Sequence, residues 1–313
     1  MPPRAKPPTT GVARIPKRSM GFYRDPASGE KYRSVTTILS QGIAKEALVF
    51  WAGNTVAQSA MDNIPYLIQS SMSGAGRTEA YDWLRRAHTR MKDSRAEIGS
   101  AVHSLIESHI LGQPVPESLM TDEEIAPYLA NFLAFVRDYE VEFTASEMVV
   151  AHDGEMYAGT LDYLFRSPKI VRLLIAAGFL PEGSDEQLDM AGDTKTGGEI
   201  CLGDGLCVRS RPSEFKSCDG TAHSIRGVFG EIGLQMAAYR AARSAWLRDG
   251  TRVEMPSTHP AGVGLHLRPE GHLVIPVRCG EEQFTTFCFA RKMAEWCTEG
   301  SKNVLGDPLV ALA

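Results

Sequence analysis

Leu188-Asp-Met-Ala-Gly-Asp193-Thr-Lys195-Thr196, closed by Gly197, reads as a β-strand with a turn residue after it. Successive side chains on a strand alternate between faces, so Asp193 and Lys195 point the same way. A carboxylate and an ammonium on one strand face are what a shared chemical site requires. A rival triplet of the same form, Glu214-Phe-Lys216, lies further on. Pro212 and the Ser, Arg and Cys residues around it suggest a loop there, so Asp193 and Lys195 are preferred.

Three other polar landmarks lie around this strand. Upstream are His103 in Gly99-Ser-Ala-Val-His103 and Asp162 in Ala158-Gly159-Thr-Leu-Asp162; downstream are Gln235 and Tyr239 in Gln235-Met-Ala-Ala-Tyr239. Mg2+ prefers carboxylate, carbonyl and water oxygens in a near-octahedral shell, and Mn2+ also accepts an imidazole nitrogen. Asp162 and Asp193 offer the carboxylates and His103 the imidazole. A cation so held lowers the pKa of a bound water and polarises a phosphate, with Lys195 beside the attacking water.

The order Gly-x-x-x-His, Gly-x-x-Asp, Asp-x-Lys, Gln-x-x-x-Tyr resembles the PD-(D/E)XK nuclease superfamily, within it the RecB-like exonucleases and the small phage proteins related to the CRISPR-adaptation exonuclease. Tyr32-Arg-Ser-Val-Thr-Thr-Ile-Leu39, with Phe50-Trp51-Ala52 after it, also looks like the start of those phage proteins. The resemblance covers residues 30 to 300 or so. Each motif alone occurs by chance in many proteins; their joint order is the signal. It implies an α/β fold with a restriction-endonuclease-like core: a central mixed sheet carrying Asp162 and Asp193, flanked by the His103 and Gln235 helices, after an N-terminal helical region. It further implies a Mg2+- or Mn2+-dependent DNA exonuclease acting in phage DNA recombination, repair or replication. The implied catalytic residues are Asp162, Asp193, Lys195 and Gln235. The implied metal ligands are His103, Asp162, Asp193 and the backbone carbonyl of Thr194. Tyr239 is implied to pack near the DNA backbone, with a plain core residue as the alternative. The rival functions are a structure-specific endonuclease on the same scaffold and a non-catalytic DNA-binding or adaptor protein; the Asp-x-Lys triplet argues against the last. DNA ends or single strands are the expected partner, with a recombination protein as a second.

Composition sets the outer limits. The 313 residues are 43% hydrophobic, ordinary for one large domain with a real core, and the formal net charge is −5. That balance excludes a generally basic nucleic-acid coat but not a local groove. Residues 1 to 24 hold Arg4, Lys6, Arg14, Lys17, Arg18 and Arg24, no acid and several prolines, and are expected to be a disordered basic arm. The arm reads either as a solvated tail or as a phosphate-binding segment. A single domain is expected from 25 to 313, mainly helical over 25–140 and sheet-based over 141–313. No apolar run is long enough to span a bilayer and no secretory signal core is seen, so a cytoplasmic protein is expected, in the host bacterium if phage-encoded. All six cysteines follow residue 200 without a Cys-x-x-Cys pair. Related proteins with an iron–sulfur cluster use a cysteine upstream of the helical His. None precedes His103, so no cluster and free thiols are expected.

Along the chain, helical spacing over 34–62 is expected to break at Gly42 and Gly53, and 69–76 to be a loop. A basic helix over 78–94 carries Arg85, Arg86, Arg90 and Lys92, the three arginines being assigned to DNA backbone contacts. From Ile98 a 3.6 period at Val102, Leu105, Ile106 and Ile110 places His103 at the edge of the apolar stripe, with Gly99 allowing close approach to another backbone. A further helix spans Asp122 to Glu140. A hairpin joins Glu147–His152 to Tyr157–Arg166, where Glu147 is read as a solvated charge, with a further ligand as the alternative. Residues 169–180 form an amphipathic insertion. A helix from His223 to Leu247 puts Gln235, Tyr239, Ala242 and Trp246 on one stripe. A last hairpin, 261–268 with 272–278, precedes a closing helix, 281–299.

Overall fold

The computed structural model describes residues 15–306 other than 116, 202, 204, 205, 209–214, 218–220 and 226. The N-terminal part carries β1 (Lys17–Ser19), β2 (Phe22–Arg24) and β3 (Lys31–Ser34), then α1 (Val35–Gly42), α2 (Glu46–Asp62), α3 (Ile64–Ser71), α4 (Gly74–Arg85), α5 (Ala87–Ile110), α6 (Glu117–Met120) and α7 (Ala126–Asp138). Next come β4 (Glu142–His152), β5 (Tyr157–Arg166), α8 (Pro168–Ala176), β6 (Met190–Lys195), β7 (Glu199–Cys201), β8 (Leu206–Val208), β9 (Phe215–Ser217) and β10 (His223–Ile225). The chain continues through α9 (Glu231–Arg240), β11 (Ser244–Trp246), β12 (Arg252–Glu254), β13 (Ala261–Arg268), β14 (Gly271–Arg278) and α10 (Glu281–Thr298).

The fold is α/β, with a mixed sheet flanked by helices. Its path runs β1-β2-β3-β5-β4-β11-β12, and β5 also pairs with β6, which leads to β13 and β14. The β3–β5 and β6–β13 pairs are parallel and the others antiparallel. With β4 along one edge of β5, its other edge is shared: β3 takes Tyr157 and Ala158, and β6 takes Tyr163 to Phe165. The sheet therefore forks, and Asp162 sits at the fork.

Alternation along the strands loads two cores. Leu164 and its cross-strand partner Ala191 join Ile38, Leu39, Met236 and Phe287 of α1, α9 and α10. Phe165 and its partner Met190 face the other way, into Leu105, Phe132, Phe135 and Val171 of α5, α7 and α8. Phe132, Phe135 and Phe165 are fully buried, each worth roughly 1.5–3 kcal/mol relative to exposure. Packing of this size, more than helix propensity, holds α7 to the sheet. A smaller cluster of Tyr23, Tyr32, Val149 and Trp246 seats the N-terminal strands. Gly159 is required where α9 crosses the fork, because a Cβ there would lie 2.3 Å from the Tyr239 ring.

Several expectations are corrected. Residues 15 to 24 do not belong to a disordered arm: Lys17–Ser19 and Phe22–Arg24 are strands, and residues 1–14 lie outside the described residues. α2 runs unbroken through Gly53, and α3 continues to Ser71, so the loop expected over 69–76 shrinks to the α3–α4 junction. Ser73 caps α4 by accepting the Gly76 amide at 3.0 Å. The basic helix over 78–94 is two helices meeting at Arg86; Arg90 donates to the Trp83 carbonyl at 2.7 Å, satisfying an acceptor the break leaves free. The helix expected from His223 to Leu247 is only α9. Trp246 belongs to β11, opposite Val149, because the free edge of β4 needs backbone partners that a longer helix would withhold.

Candidate functional site

Antiparallel pairing of β5 with β6 sets Tyr163 opposite Gly192 and Leu164 opposite Ala191, so the next step along the ladder places Asp162 opposite Asp193. The side chains of opposed residues share a face, so both carboxylates stand on one side of the fork. Asp162 Oδ2 accepts the Thr194 amide at 2.8 Å. The Thr194 backbone thus holds this carboxylate through its N–H, while its hydroxyl pairs with Tyr163 at 3.2 Å. Burial, reinforced by the Asp193 charge, raises the Asp162 carboxyl to about 7. This is the sign expected when two acids share a site.

Asp193 is 1% exposed and is held from two directions. Gln235 Nε2 donates to Oδ1 at 2.7 Å, and Lys195 Nζ faces Oδ2 at 2.6 Å. That second contact is an ion pair without hydrogen-bond alignment, which leaves the sealed Oδ2 short of a directional donor. Burial would lower the Lys195 ammonium, yet Asp193 and Asp162 outweigh it and hold the pKa above its ordinary value. The next β6 and β13 register, parallel with Asp193 beside Gly264, fixes the strand on its far side.

Gln235 also donates to the Tyr239 hydroxyl, one helical turn away, at 3.2 Å. Tyr239 itself is 2% exposed, its phenol pushed well up by burial, so it is a core residue whose hydroxyl alone reaches the site. The expected packing against a DNA backbone is corrected accordingly.

His103 comes from the opposite layer and reaches the open fork. Its Nδ1 lies 3.7 Å from both Asp162 Oδ2 and Glu147 Oε1. Glu147 is thus drawn into the site rather than left as a solvated strand charge; it adopts a left-handed φ of 47° beside Ser146, which pairs with Tyr163. A Cβ on Gly99 would meet the Thr196 hydroxyl at 3.2 Å, so the close approach is to a side chain at the end of β6. Burial alone would lower the His103 pKa, but the Asp162 and Glu147 carboxylates raise it to about 9. A group raised from 6.5 to about 9 on folding stabilises the fold fully below 6.5 and loses that contribution as pH rises through 9. An NMR titration of the imidazole in EDTA is expected to give a midpoint near 9, and Glu147→Gln to lower it. A midpoint at or below 6.5 would show that the carboxylates are not held this close.

His103, Asp162, Asp193, Thr194, Lys195, Gln235 and Tyr239 line one cavity of about 260 Å³, with Arg18, Tyr23, Ser34, Thr36 and Thr160 completing its wall. Arg18 enters it from β1 and donates to Thr37 at 3.3 Å; Tyr23 bonds Thr160 at 2.9 Å. Of the other basic residues assigned to DNA, Lys17 is exposed on β1 opposite Arg24. Arg85 pairs with Asp82 at 2.6 Å, Arg86 is an exposed helix junction, and Arg90 stacks on Trp83 at 4.6 Å. Glu214 of the rival triplet lies outside the described residues, but Phe215–Ser217 is a strand, β9, paired with β8, so the loop expected there is corrected.

The donor set fits a divalent cation. His103, Glu147 and Asp162 each present a ligand atom within 4.8 Å of the others, close to what two metal–ligand bonds of ~2.0–2.3 Å span. Two carboxylates and one imidazole suit Mn2+ as well as Mg2+. Asp193, expected as a ligand, is turned to Lys195 and Gln235 and is not among the three residues whose ligand atoms cluster. Cys279 is buried in the first core, its thiol pushed up to about 12, and Cys288 and Cys297 are free thiols. No described helix is long and apolar enough to cross a membrane. No family model matches the chain, and no curated protein matches it.

Proposed function

We propose that this chain is a divalent-cation-dependent deoxyribonuclease that hydrolyses phosphodiester bonds, an exonuclease by its resemblance to RecB-like proteins. The observation that carries the reading is the meeting of His103, Asp162, Asp193, Lys195 and Gln235 in one cavity, although they come from four separate elements. Chance matches to short motifs have no reason to converge. When bound, Mg2+ or Mn2+ would polarise the scissile phosphate and ease deprotonation of the attacking water.

The protein's own residues divide the remaining work. His103, Glu147 and Asp162 would hold the cation. Asp193, oriented by Gln235, sets the position of Lys195, whose ammonium is a fixed positive charge for the phosphate or the attacking water. Arg18 adds a guanidinium suited to a phosphate oxygen at the cavity wall. Thr194, through its amide, keeps the Asp162 carboxylate aimed.

Digestion of end-labelled linear DNA tests this directly. Mg2+ or Mn2+ is expected to support cleavage and EDTA to stop it, with covalently closed single-stranded circles resisting a strict exonuclease. Equal degradation in EDTA would refute the cation-dependent reading, and cutting of circles would replace exonuclease by endonuclease.

A further inference from the structure

A second cavity of about 210 Å³ adjoins the first, and Lys195 and Gln235 line both. The two spaces therefore meet at Lys195, assigned to the reacting phosphate, and at Gln235, which orients the Asp193 that positions it. The second has a different character. Leu39 and Ile232 give it an apolar floor, Phe229 stands at its side 47% exposed, and Lys45 and Glu231 close its rim. Lys45 Nζ and Glu231 Oε1 are 2.5 Å apart, each side chain about a third exposed. Lys45 lies just before α2, and Phe229 and Glu231 at the start of α9, so the rim joins two elements far apart in sequence.

We infer that this second cavity is a nucleoside subsite, taking the base next to the scissile phosphate from single-stranded DNA against Phe229, with Lys45 on the neighbouring phosphate. The inference rests on the phosphodiesterase reading and adds a substrate class to it. An exposed aromatic ring beside a cation is the arrangement by which unpaired bases are held without sequence preference, since every base has a π-face. A base inside a duplex is already stacked and paired, and cannot enter a recess of this size without being extruded. A single strand, or a frayed end, presents it freely. Glu231 holds Lys45 in position, and Lys45 turns from it to a phosphate oxygen when DNA enters, because a partly exposed ion pair of this kind contributes little on its own.

The test is steady-state kinetics on a short end-labelled single strand and on the matching blunt duplex, with Mn2+, for the full chain and its variants. Phe229→Ala and Lys45→Gln are each expected to raise KM for the single strand roughly 10-fold, the scale of one base–aromatic stack or phosphate contact. The value of kcat should stay within about twofold, as for loss of uniform binding. Phe229→Trp and Lys45→Arg should restore KM, and Phe229→Ala should narrow the preference for single strand over duplex. Thermal melts of the variants establish that each is folded. Wild-type cleavage with KM unchanged in both variants would overturn the subsite and leave the nuclease reading standing. A fall in kcat at constant KM would also overturn it, by placing these residues in the chemistry. No cation-dependent cleavage by the wild type would end both readings together.

Discussion

Asp193→Asn is expected to lower the cleavage rate at saturating DNA by about 100-fold or more, the scale of losing one preorganised electrostatic group. Asparagine keeps the shape of the side chain, so Gln235 retains an acceptor where it now donates at 2.7 Å. The charge is what disappears. Lys195, held above its ordinary pKa chiefly by Asp193 against the opposing effect of burial, then loses its main counter-ion. Its pKa should fall in the variant, shifting the pH–rate profile as well as the plateau. Lys195→Met should be equally inactive but without that shift, since no ammonium is left to titrate. Thermal melts separate lost chemistry from lost fold. If Glu214→Ala and Lys216→Ala proved inactivating while Asp193→Asn did not, the catalytic triplet would be the later one.

Asp162→Asn should have opposite effects on stability and on activity. Folding raises the Asp162 carboxyl from 3.8 to about 7, through burial and the facing Asp193. A carboxyl raised in this way favours the fold in its protonated form: that contribution is complete below 3.8 and is lost as pH rises through 7. Asparagine mimics the protonated acid at every pH. In EDTA at pH 8 the variant is therefore expected to be more stable than wild type by roughly 1–3 kcal/mol, with the difference vanishing below pH 4. Mn2+ should reverse the order, because the wild type gains stability from a bound ligand and the variant, lacking the carboxylate, gains little. Cleavage should be lost in the variant. Urea melts across pH, with and without Mn2+, measure all of this; a variant less stable than wild type at pH 8 in EDTA would show that Asp162 is not the strained member of the site.

How legible the site was depended on the range of the interactions involved. The hairpin of β4 and β5, the strand bearing Asp193, the last hairpin and α10 could all be read from local alternation and turn residues, because a period of two or 3.6 is written in neighbouring residues. The order of His103, Asp162, Asp193, Lys195 and Gln235 was likewise visible along the chain. Lys17–Ser19 and Phe22–Arg24 were not, since these three-residue strands, exposed but for Tyr23, form through pairing with each other and with β3. Trp246 fitted a helical spacing, and only the unfilled edge of β4 made it a strand.

Sequence alone thus determined which side chains are candidates for chemistry, which faces are apolar and where most elements lie, because residue type and local periodicity suffice for these. Tertiary structure decided what they meet. Register across β5 and β6 set Asp162 against Asp193, the fork admitted His103 and Glu147, and burial turned Tyr239 from a surface contact into a core residue. Each of these depends on pairing between residues distant in sequence, and on the loss of water around a charge, neither of which any local pattern encodes.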